Sequence, residues 1–84
     1  MPRVPQPPQP LGIPQDWRPT MGAFLRERRK ALGWSRERLA EVSGFSRNHV
    51  SKIERGVEVG LQTLVLVCAA LGVRPGDAFH AAGL

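Results

Sequence analysis

Residues 35–56 read Ser-Arg-Glu-Arg-Leu-Ala-Glu-Val-Ser-Gly-Phe-Ser-Arg-Asn-His-Val-Ser-Lys-Ile-Glu-Arg-Gly. Ser35 and Ser46 each stand where a helix N-cap belongs, because a side-chain oxygen there satisfies one of the unpaired amides of the first turn. Each follows an aromatic residue, Trp34 or Phe45, and precedes an aliphatic one four places on, Leu39 or Val50. That is the pattern of a hydrophobic staple, without the reciprocal acid of a capping box, since Arg38 occupies the place of the acid. In the first of these helices Leu39, Ala40 and Val42 are predicted to face inward, and Gly44 supplies a left-handed turn. In the second, residues 47–55, Val50 and Ile53 point to the core while Arg47, Asn48, Ser51, Lys52 and Arg55 share the opposite face; Gly56 stops the helix. A convex surface helix with such a face fits the major groove of DNA.

Upstream, Thr20 is a fair N-cap, and Met21, Leu25, Arg29 and Leu32 fall on one helical stripe with Phe24 beside them and Gly33 at the end. An arginine on an apolar stripe needs a carboxylate to neutralise it, and Glu54, off the polar face of helix 47–55, is its natural partner. Downstream, residues 61–71 are apolar almost all round, which predicts a helix buried on more than one side. Gly72 with Val73 marks its end, and Pro75 opens a short last helix through Phe79. Nothing reads as a strand. The prediction is an all-α, five-helix domain over residues 20–80, with a Pro/Gln-rich arm at 1–19 and a tail at 81–84.

Seven of the eight prolines lie before residue 20, in a stretch too poor in core-forming residues to offset its ordering entropy, so the arm is expected to be extended and flexible. It has no uninterrupted apolar run of the signal-peptide kind, and no segment is long enough to span a bilayer; a soluble, cytoplasmic protein is expected. Cys68 is the sole cysteine and reads as a small buried residue; it makes no metal-ligand spacing with His49 or His80, so neither a disulfide framework nor a metal site is expected. No nucleophile–base pair, paired carboxylates or phosphate-binding glycine loop appears, which argues against an enzyme and against a cofactor. The net charge is +5, and residues 26–55, with nine basic and four acidic side chains, carry all of it. Charge clustered in this way favours a polyanion through counterion release.

From Met21 to Phe79 the chain resembles the lambda-repressor/Cro-like helix-turn-helix family of bacterial and phage transcription regulators, also called xenobiotic-response-element proteins. The matching pieces are Leu-Arg-Glu-Arg-Arg-Lys-Ala-Leu-Gly-Trp-Ser, Leu-Ala-Glu-Val-Ser-Gly-Phe-Ser, Val-Ser-Lys-Ile-Glu-Arg-Gly and, from residue 61 to residue 73, Leu-Xaa-Xaa-Leu…Ala-Leu-Gly-Val. The resemblance implies a sequence-specific regulator, a repressor, that binds double-stranded DNA as a homodimer on a palindromic operator. It places base edges at Arg47, Asn48 and Lys52, with His49 and Ser51 close by, and phosphates at Arg36, Ser46 and Arg55. It also pairs Arg29 with Glu54, as the stripe suggests. Restriction–modification controllers, phage repressors and autoregulating antitoxins are of similar size.

Three departures from the family pattern matter. The family usually has Gln where this chain has Arg36; a phosphate ligand is still expected there, but the brace that Gln gives the recognition helix is put in question. The loop Val57-Glu58-Val59-Gly60 offers no cation and is expected to add little to DNA affinity. Leu66 and Ala69 replace the usual polar residues of the fourth helix, and with Val57 and Val59 they form an apolar patch. Either this patch is the dimer interface, or the tail Ala81-Ala82-Leu84 packs over it. The reading from another class is an antitoxin or interaction module that binds a protein through helix 61–71 or the proline-rich arm, with DNA contact secondary. A chain shortened to begin at Met21 is expected to bind the same DNA with nearly unchanged affinity.

Overall fold

The structure, a computed structural model, describes residues 17–57 and 60–84. They form five helices, α1 (Trp17–Ala31), α2 (Arg36–Ser43), α3 (Arg47–Glu54), α4 (Leu61–Leu71) and α5 (Pro75–Ala81), with no strand among the described residues. Arm residues 1–16, and Glu58 and Val59 of the loop, lie outside the description. Helix α1 packs on α3, α4 and α5, and α2 on α3 and α4. Met21, Leu25, Leu39, Ile53, Leu64 and Leu71 are the largest side chains sealed in the centre, and Cys68 is buried among them. Burial pushes the Cys68 thiol above its ordinary pKa.

The chain is already helical at Trp17, three residues before the predicted cap at Thr20. Pro19, counted with the prolines of the arm, does not oppose this start, because in the first turn the amide it lacks would have no partner. This extra turn is anchored. Trp17 is half-buried against the core, with the Arg18 guanidinium 5.3 Å from its ring centroid. The turn's backbone also rests on Gly56: a Cβ there would lie 2.6 Å from Pro19 N, and the φ of +75° disfavours any side chain besides. Removing residues 1–20 is therefore expected to destabilise the domain by about 1–2 kcal/mol, through the exposed core and lost aromatic burial. The thermal midpoint should fall by roughly 4–16 °C; equal midpoints for the full and shortened chains would contradict this.

Gly22 sets the approach of α1 to α3. A Cβ on it would collide with the Glu54 carbonyl oxygen and lie 2.7 Å from that of Ile53, so the close contact depends on a bare backbone.

Three other expectations change. Val42 is 42% exposed, not inward. The core direction of α2 runs between Leu39 and Ala40, which Ser43 shares, while Val42 sits about a third of a turn away. Leu32 is also exposed, in the turn past the end of α1. Helix α4 is buried on one side only, through Leu64, Val67, Cys68 and Leu71. Its other side leaves Leu61, Val65 and Leu66 exposed at 68%, 41% and 44%. Ala82 is buried and Leu84 packs against the core, yet Leu66 and Ala69 remain exposed, so the tail does not cover them.

Candidate nucleic-acid interface

The turn between α2 and α3 is built by local chemistry. Ser35 Oγ accepts from Arg38 N and Ser46 Oγ from His49 N, each at 3.0 Å. Gly44 takes φ +82° and donates its amide to Ala40 O at 2.9 Å, ending α2 and turning the chain into α3. Trp34 and Phe45, the residues preceding the two caps, are half-buried against the core that holds Leu39 and Val50. Val50, Ile53 and Glu54 form the buried side of α3.

The opposite side carries the predicted DNA-facing residues. Arg47, Asn48 and Arg55 are exposed, and Ser51 and Lys52 are half-buried. His49 is drawn aside: its ring stands edge-on to Phe45 with centroids 4.6 Å apart. Arg55 folds back, its Nε donating to Ser51 O at 3.4 Å, where a cation also complements the helix C-terminus. Ser46 is exposed, and its hydroxyl proton is not used by the capping bond, so it can be donated outward. Val57, first in the loop after α3, is 60% exposed.

Beneath α3 lies a charged cluster. Arg29 Nε and Nη2 donate to Glu54 Oε2 and Oε1 at 2.6 and 3.2 Å, and Nη1 donates to Trp34 O at 2.7 Å. The side chains are 8% and 2% exposed. Bidentate geometry and a third acceptor satisfy the guanidinium, which is what a buried charge requires. Arg36, expected to lie free for phosphate, donates from Nε to Glu54 Oε1 at 3.1 Å. The brace from the start of α2 to α3 is therefore present, made by an ion pair instead of an amide.

A second tie was missed by sequence reading. Arg47 Nε lies 2.7 Å from Glu37 Oε1. Consecutive residues of α2 thus contact both ends of α3, Glu37 its first residue and Arg36 its last, the second of these through the buried Glu54. The Glu37 carboxyl is held below its ordinary pKa, chiefly by a backbone hydrogen bond, which outweighs the opposing desolvation; Arg47, Ser35 and Arg36 add in the lowering sense. The only sequence signal was an acid in the first turn of α2 and an arginine in the first turn of α3.

Two serine-capped helices at a glycine turn, the second outward-facing and polar and seated on a buried Arg–Glu pair, define a helix-turn-helix domain. The family described as Helix-turn-helix matches residues 25–77, and the chain belongs to it, within the lambda-repressor/Cro-like group of DNA-binding transcription regulators. Over 63 residues it is 41% identical to the HTH-type transcriptional regulator SlrR of Bacillus subtilis (strain 168), covering 73% of this chain and 41% of that protein. It thus spans about two-fifths of the length of that relative. The crystal structure of the clp gene regulator ClgR from Corynebacterium glutamicum is similar at TM-score 0.73 and 39% identity, over 79% of this chain and 87% of that one. The restriction-modification controller protein C.AhdI from Aeromonas hydrophila is similar at TM-score 0.68 and 38% identity, over 75% and 96%.

Proposed function

We propose that the protein is a cytoplasmic transcriptional repressor that binds a two-fold-symmetric operator as a homodimer. The carrying observation is the outward face of α3, polar from Arg47 to Arg55 and seated on the protein surface over the buried Arg29–Glu54 pair. In this reading α3 enters the major groove; Arg47, Asn48 and Lys52 meet base edges, with Ser51 and His49 beside them. Arginine or lysine bonds guanine O6 and N7, and asparagine bonds adenine N6 and N7. Arg36, Ser46 and Arg55 take phosphates, Arg36 with the guanidinium nitrogens that its bond to Glu54 leaves over. Half-sites would lie about 10 bp apart, centre to centre.

The exposed apolar side of α4 supports dimerisation. Leu61, Val65 and Ala69 recur every fourth residue and Leu66 adjoins them; Val57, in the loop before α4, is exposed as well. Val59, assigned to the same interface from sequence, lies outside the described residues. Leu66→Asp should place a charge within this patch and shift sedimentation from dimer to monomer, with operator affinity falling at least tenfold as two linked half-sites become independent. Unchanged sedimentation would remove α4 from the interface. The same uncovered face supports the second reading, an antitoxin or interaction module; there the wild-type chain would sediment as a monomer and bind duplexes without sequence preference.

A further inference from the structure

We propose that Glu37 is a specificity-determining positioning residue, whose carboxylate aims the Arg47 guanidinium at a guanine edge and penalises duplexes in which that contact is not made. The inference rests on the reading of Arg47 as a base contact and goes beyond it by naming what orients that side chain.

An acid on a DNA-facing surface needs a reason. Glu37 stands exposed in the first turn of α2, beside Arg36 in sequence and Arg47 in space. For affinity alone it is a loss, because a carboxylate near phosphates repels them. Its geometry shows what it supplies instead. Oε1 lies 2.7 Å from Arg47 Nε, the nitrogen on the side of the guanidinium. The two terminal nitrogens form an end-on fork, and that fork matches guanine O6 and N7. An unrestrained arginine at the start of a recognition helix can swing to a neighbouring phosphate, which carries no sequence information. A carboxylate anchored on a different helix opposes that swing.

Neighbouring contacts strengthen the case. Arg36, next to Glu37 in the chain, donates to Glu54 at 3.1 Å, and the ion pair of Glu37 is with Arg47. The pair is exposed on both sides, at 66% and 62% of side-chain area, so in the free protein it adds little stability. Water leaves when DNA docks, and the same contact then acts in a lower dielectric where orientation counts for more. Glu37 thus shapes recognition without holding up the fold, and substitutions there leave a folded domain.

The test uses the full chain and four variants: Glu37→Ala, Glu37→Gln, Arg47→Ala and the double change. Each is titrated against a selected operator duplex, the same duplex with single base pairs exchanged across the half-site, and an unrelated duplex at matched salt. Glu37→Ala should bind the unrelated duplex about two- to threefold more tightly as a negative charge is removed. It should also lose roughly five- to tenfold in discrimination at one base pair, the pair that Arg47→Ala relaxes. Glu37→Gln, which keeps an acceptor for Nε, should retain part of that discrimination. In the Arg47→Ala background, adding Glu37→Ala should change discrimination at that pair no further. Equal affinity gains for every duplex on Glu37→Ala would mean a charge effect alone and overturn the proposal. If Arg47→Ala relaxes no base pair, the base-contact reading itself fails and takes the proposal with it.

Discussion

Glu54→Ala is expected to lower stability by about 3–5 kcal/mol, because it leaves the Arg29 guanidinium buried without its carboxylate. Arg29 is 6% exposed and has no route to solvent that keeps Met21 and Leu25, on the same side of α1, in the core. Arg36 loses its partner at the same time, so α3 is untied from α2 at its C-terminal end. A folding unit of this size typically has about 5 kcal/mol to lose, so about 0–2 kcal/mol would remain and the variant should melt well below the parent. Denaturant titration followed by far-ultraviolet circular dichroism measures it. Replacing both Arg29 and Glu54 by leucine or methionine should recover much of the stability, since a packed apolar pair substitutes for a buried ion pair at small or no cost. A single Glu54→Ala variant as stable as the parent would contradict the view of this pair as the seat of α3.

Asn48→Ala should leave that stability intact and act on DNA. Asn48 is exposed and follows Arg47 at the start of α3, where recognition helices present base-reading side chains. A bidentate contact to adenine is worth about 1–3 kcal/mol against the wrong base. A two-fold dimer makes it twice, so operator affinity should fall by about 2–6 kcal/mol while binding to an unrelated duplex barely changes. The preference for adenine should disappear at one position in each half-site and persist elsewhere. Equal losses on operator and unrelated DNA would mean that Asn48 contacts only the backbone.

What could be read from the chain before its fold was known divides along physical lines. The α2–turn–α3 unit was legible because each part is local: a serine oxygen for the first-turn amides, an aromatic before it, a glycine for the left-handed turn. The Arg29–Glu54 pairing was legible for another reason, since a guanidinium on an apolar stripe demands an acid and Glu54 was the one off the polar face. The start of α1 was placed three residues late, at Thr20, because a capping residue and a proline-rich stretch before it fit a boundary, while a proline is equally at home in a first turn. Val42 misled because α2 is barely two turns long, too short for periodicity to fix its inward direction.

Composition showed that α4 was apolar, but whether a face is covered depends on neighbours, and here one side stays open. The ties Glu37–Arg47 and Arg36–Glu54 depend on how α2 crosses α3 in space, which no spacing along the chain encodes. For the same reason the substitution of Arg36 for the usual Gln looked like the loss of a brace when it is a different brace.

The most direct test is selection of random duplex DNA on the purified 84-residue chain, with sequencing of the enriched pool. A palindromic motif with half-sites about one helical turn apart is expected, with loss of single motif positions on Arg47→Ala, Asn48→Ala or Lys52→Ala. A pool that retains no motif, bound only in a salt-sensitive and sequence-blind way, would contradict the proposed function.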